Sequence, residues 1–141
     1  MILSDLLKDA EKAGDAAGAF RVVIATRTVD GVEMEPGRVQ VSDAGFPQVD
    51  PSGGEVDILP TRYMDSPGPC LTVAAFRQLV AEQPEVADFT VTAVTGFKLL
   101  ADGGNAQRTE QAMGTNVLAE QGEIWLLLYP ERQWPAHWFG A

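Results

Sequence analysis

From Phe20 the chain alternates, with Phe20, Val22 and Ile24 falling on one side and Arg21, Val23 and Arg27 on the other. That two-residue period is the mark of a half-buried strand. A second period begins at Thr72, whose hydroxyl can accept from the free amides of a first helical turn; Phe76, Leu79 and Val80 then recur at helical spacing. Pro84 cannot donate to a helical ladder and pushes Gln83 out of the helical region, so the helix stops near Glu82. Phe89, Val91 and Ala93 next alternate with Thr90 and Thr92 at strand spacing. Thr72 to Thr92 is therefore a helix-loop-strand unit, and the rest of the chain is read around it.

Ahead of that unit, Leu6, Leu7 and Ala10 share one face of a short helix that Ser4 can cap. Asp30-Gly31 and Glu35-Pro36-Gly37-Arg38 are competing hairpin turns, and Arg38 to Ser42 reads as a half-exposed strand with Val39 and Val41 inward and Arg38, Gln40 and Ser42 outward. The density of breakers from Asp43 to Gly54 (Gly45, Pro47, Pro51, Ser52, Gly53 and Gly54) predicts a loop. Val56 and Ile58 predict a short edge strand that Pro60 ends. Beyond the unit, Gly96 to Ala101 extends or re-enters the sheet and Asp102 to Asn105 is a turn. Residues 106–119 fit either a helix over 106–113 or an outer strand over 107–119. A turn at Glu120 to Glu123 leads into Ile124 to Tyr129, a continuous apolar run that requires cover on both faces. After Pro130, Trp134 and Trp138 stand one helical turn apart around His137, with Phe139 beside them, either capping the core or anchoring a partner.

No internal repeat is legible. The order of elements predicts an α+β fold: one domain over 1–141, a mostly antiparallel sheet with two main helices packed on one face, and a C-terminal aromatic segment.

Composition narrows the class. The 141 residues carry 45% hydrophobic and 21% charged side chains, enough for a sizeable core without a disulfide framework. Cys70 is the single cysteine, and the first residues lack the basic start and long apolar run of a secretory signal, so the expected location is the cytoplasm. No apolar stretch approaches the roughly 18 residues that span a bilayer. Twenty acids against ten bases leave a net charge of −10, which argues against direct nucleic-acid or anionic-lipid binding. Between Thr28 and Thr61 the acids Asp30, Glu33, Glu35, Asp43, Asp50, Glu55 and Asp57 face only Arg38. Abundant alanine and arginine suggest a bacterial or phage gene.

Reactive constellations are scarce. There is no phosphate-binding glycine loop, and one cysteine with one histidine cannot build a tetrahedral zinc site, so no cofactor and no metal is expected. Asp43, Asp50, Glu55 and Asp57 lack the spacing of a calcium loop and read as solvated charges. The one imaginable nucleophile-base pair is Cys70 with His137. No catalytic residue is assigned. The first functional reading is a non-enzymatic protein-binding or assembly module, including self-association, with Trp134, His137, Trp138, Phe139, Asp43, Asp50, Glu55 and Asp57 as its candidate contact residues. Two others stand beside it: an acidic inhibitor or immunity-type protein meeting a basic surface, and a small enzyme or ligand-binding fold with a pocket near Cys70 and His137.

Overall fold

The structure is a computed structural model describing residues 1–29, 32–33, 39–65 and 68–128. The first helix, α1 (Leu3–Glu11), buries Leu3, Leu6 and Ala10 and is followed by a 3-10 turn (Asp15–Ala19) and strand β1 (Arg21–Thr26). A two-stranded ribbon of β2 (Thr28–Val29) and β3 (Val32–Glu33) precedes β4 (Gln40–Asp50) and β5 (Glu55–Pro60). The second helix, α2 (Val73–Glu82), leads through another 3-10 turn (Pro84–Asp88) to β6 (Thr90–Leu99), β7 (Asn105–Leu118) and β8 (Glu123–Leu128).

The sheet closes on itself. Its strand order is β1-β4-β5-β6-β7-β8, with antiparallel neighbours except at two parallel seams, β5 with β6 and β8 with β1. This overturns the expectation of an α+β layer with helices on one face of an open sheet. The two helices instead close one end of a barrel: Leu3 N–H donates to the Phe89 carbonyl just ahead of β6, and Val73 N–H to the Phe20 carbonyl just ahead of β1. Leu3, Leu6, Val73 and Phe76 share one core with the inward residues Val22, Ile24, Val56, Ile58, Val91, Ile124 and Leu126.

Closure depends on two long strands that each serve two neighbours. β4 pairs with β1 through Gln40 to Asp43 and with β5 from Ala44 onward, bending at a bulge between Ala44 and Phe46. β7 leaves β6 for β8 at the matching bulge between Ala112 and Gly114. Bulges bend a strand and raise its local twist, and here each one carries the chain from one side of the barrel to the other. The predicted loop from Asp43 to Gly54 is therefore mostly strand. Gly45 sits in the bulge, where a Cβ would come within 3.0 Å of the Leu59 carbonyl oxygen. Pro47 lies where β4 has left β1, so one side of its backbone has no ladder to interrupt. The ambiguous stretch 106–119 is likewise strand through Leu118, and β5 lies between β4 and β6, not at an edge.

The two halves repeat one another. Each runs helix, 3-10 turn and three barrel strands, and each starts with a short extended wedge inserted into the other half's wall. Val91 N–H donates to Met1 O at 2.9 Å as Val22 N–H does to Leu71 O. The Met1 ammonium reaches Ala112 O at 3.0 Å, and Leu71 N–H reaches Ala44 O at 2.8 Å. Gly54 and Gly122, both in the left-handed region at φ 65° and 67°, accept from the first residues of β6 and β1 respectively. The repeat that sequence reading failed to find is thus a repeat of backbone roles.

Some of the other local expectations hold, but Val41, expected inward, lies opposite Ala25 on the outer side of β4 and is 50% exposed. Thr72 Oγ1 accepts from Ala75 N–H at 3.4 Å and α2 ends at Gln83. Ile124, Leu126 and Leu128 point inward while Leu127 is buried on the outer side of β8, which accounts for the unbroken apolar run. Ser4 does not cap α1, whose N-cap position is Ile2. At the end of the barrel away from the helices the interior is polar: buried Thr26 donates to Glu110 at 3.2 Å, and the β2–β3 ribbon runs from β1 toward β6.

Candidate docking face

Alternation decides what the outer wall displays. Because Val56 and Ile58 point into the barrel, Glu55, Asp57 and Leu59 point out, and their registered partners on β4 are Asp50, Gln48 and Phe46. The outer wall of β4 and β5 therefore runs from an apolar row, Phe46 with Leu59, through Gln48 with Asp57, to an acidic row, Asp50 with Glu55. Phe46 is 52% exposed, and Phe97, further along β6, is 42% exposed.

Between them lies a polar-aromatic strap. Tyr63 crosses onto β6, donates its hydroxyl to the Thr95 carbonyl at 2.9 Å, and meets Phe97 edge to face with ring centroids 5.2 Å apart. The Arg62 guanidinium lies 4.7 Å from the Tyr63 ring centre. Val94, at the β6 bulge beside this strap, is fully buried, whereas Phe46 and Phe97 stay exposed. The opposite wall differs. There Ala25 and Leu127 are buried and packed by Val39 and Trp125, and Val41 is its one large apolar exposed side chain among the described residues.

The acidic row has its own geometry. Asp50 accepts from Ser52 Oγ at 2.9 Å and Gly53 N–H at 3.0 Å, bonds that hold its carboxyl below the ordinary value and shape the turn into β5. Loss of solvent and then the charges of Asp57 and Asp50 push Glu55 up. Asp57 accepts from the Thr92 hydroxyl. Among the described residues no cation pairs with any of these three.

Of the sequence-derived candidates, Asp50, Glu55 and Asp57 thus come together on one face. Asp43 stands apart near the other wall, 3.7 Å from Arg21, which also binds Glu123 at 2.5 Å. Trp134, His137, Trp138 and Phe139 lie outside the described residues. Phe46, Phe97 and Arg62 were not singled out by the sequence. The signal for Phe46 was its two-residue spacing with Gln48 and Asp50, hidden by Gly45 and Pro47.

The reactive readings gain little. Cys70 is half-buried in the wedge, with Sγ 3.3 Å from Val22 O, and burial and then the Asp43 charge push its thiol up. A thiol held this way is a poor nucleophile near neutral pH. Alkylation of native Cys70 by iodoacetamide is expected to run slower than that of a free thiol and to rise with pH along a midpoint above the ordinary thiol value; a midpoint below it would restore the nucleophile reading. A surface hollow of about 260 Å³ is lined by Val117 to Gln121, of which Glu120 alone is ionisable. No group of three or more metal-ligating side chains occurs among the described residues. No described helix is long and apolar enough to cross a membrane.

Fold and face together define a small helix-plugged mixed barrel with one open aromatic wall. Comparison with family models, with curated proteins and with solved structures finds no match.

Proposed function

We propose that the protein is a non-enzymatic protein-binding module of bacterial or phage origin, working in the cytoplasm, which receives a protein partner on the outer wall of β4 to β6. The observation that supports this reading is the pair Phe46 and Phe97, two large exposed rings on one wall, where the wall across the barrel exposes no aromatic side chain among the described residues. Exposed aromatic side chains grouped on a rigid sheet are the usual anchors of protein interfaces, because they bury much area and lose little side-chain freedom. A nearby arginine stacked on tyrosine adds a second residue type enriched at such sites. The acidic net charge makes nucleic acid and anionic membrane poor partners.

The test is a photocrosslinking amino acid placed at Phe46, at Phe97 and, as a control, at Val41, which is 50% exposed on the other wall. In cells producing the protein, positions 46 and 97 should yield adducts of the same discrete mass and position 41 none. An adduct of twice the chain mass identifies the partner as a second copy. No adducts at 46 and 97, or the same adducts at 41, overturns the proposal.

A further inference from the structure

The rows of the open wall also constrain what its partner looks like, if that wall is the docking face argued above. Strand residues two apart lie roughly 7 Å apart along the sheet. From Phe46 and Leu59, one such step reaches Asp57 and a second reaches Asp50 and Glu55. An apolar anchor site and a cluster of three carboxylates therefore share one continuous sheet surface.

The carboxylates are poorly compensated. Thr92 supplies a hydroxyl to Asp57 and the turn supplies two donors to Asp50, but neither brings a positive charge. Arg62, a cation on this wall, is held at the aromatic end over Tyr63. Like charges facing one another across β4 and β5 oppose close approach, and a cation laid between them relieves that repulsion. The net charge of −10 adds a long-range pull on any positively charged partner.

We infer that the outer wall of β4 to β6 docks a basic amphipathic protein segment, its apolar side chains on Phe46, Leu59 and Phe97 and its Lys or Arg heads over Asp57, Glu55 and Asp50. An acidic or purely apolar segment leaves the carboxylate rows desolvated and unpaired. A segment with charge and no apolar side chains gains nothing from the aromatic end.

The inference is tested on the full chain with fluorescein-labelled synthetic peptides of equal length, each with an apolar half and a charged half: Lys/Leu, the same peptide with Glu for Lys (Glu/Leu), and the same peptide with Ser for Leu (Lys/Ser). Anisotropy titrations should show the Lys/Leu peptide binding best, with affinity falling about tenfold or more between roughly 50 and 300 mM salt as screening shortens. Phe46→Ser and the double variant Glu55→Gln/Asp57→Asn should each weaken it about tenfold, while unchanged thermal unfolding shows that the barrel is intact. Equal binding of the Glu/Leu peptide, Lys/Leu binding that ignores both variants, or no binding at all overturns the inference. If adducts still form at positions 46 and 97, the docking face stands with a partner of different chemistry. If they do not, both readings fall.

Discussion

Phe76→Ala should cost the protein about 3 to 5 kcal/mol and lower its melting temperature by roughly 10 to 20 °C. Among the described residues Phe76 is the largest fully buried side chain, and it sits on α2, in one core with both helices and the strand interiors. Its removal leaves a cavity at the junction between the helical plug and the barrel, where rigid strands on several sides cannot collapse inward. Leu79→Ala, one turn along at a half-buried position, should cost well under half as much. Urea unfolding of both variants checks the ratio. Similar losses would mean that α2 lies on the surface of the sheet, as the sequence led us to expect, and not in the end of a barrel.

Leu71→Pro should be at least as damaging, about 3 to 5 kcal/mol, through the backbone more than the side chain. The Leu71 amide donates to the Ala44 carbonyl at 2.8 Å, and Ala44 is fully buried at the bulge where β4 turns away from β1. Proline has no amide hydrogen, so that carbonyl would be left buried without this donor, and the ring would press on the wedge that fills the gap between the two strands. Leu71→Ala keeps the amide and loses only a half-buried side chain, for an expected cost of about 1 to 2 kcal/mol. The difference between the two variants isolates the wedge bond. If proline and alanine cost the same, the wedge does not carry the closure of the wall.

The wedge also shows why the sequence was only partly legible. Interactions local in the chain were readable: the Thr72 cap, the stop at Gln83, the inward alternation of Phe20, Val22 and Ile24, and the double-sided burial of Ile124 to Leu128. The parallel seams, Val56 beside Val91 and Val23 beside Trp125, join residues far apart in sequence and have no local signature. Without them a helix-and-strand order looks like an open layer. β4 was misread because a bulge glycine and a proline on its unpaired side carry the same local signal as a loop.

The internal repeat was hidden for a related reason. Gly54 and Gly122 keep a left-handed turn, and Phe20 and Phe89 keep the carbonyl that receives a helix N-terminus. Elsewhere many matched side chains diverge, Asp57 against Trp125 and Gly45 against Met113, and the identities that survive, such as Ala44 with Ala112 at the bulges, are too scattered to mark a period in the sequence. The same divergence separates the two walls: where one half carries Phe46 at its bulge the other has Gly114. Charge alone was enough to single out Asp50, Glu55 and Asp57, whereas the phenylalanines beside them needed the strand register to be recognised as a surface.

Hydroxyl-radical footprinting of the purified full chain, read residue by residue by mass spectrometry, tests the open wall most directly. Comparison among phenylalanines removes differences in intrinsic reactivity. Phe46 and Phe97 should oxidise rapidly, and Phe20 and Phe76, at 6% and 1% exposure, should be strongly protected. Protection of Phe46 and Phe97 to the level of Phe76 would contradict the account, because a wall already covered in the isolated protein has no face to offer a partner.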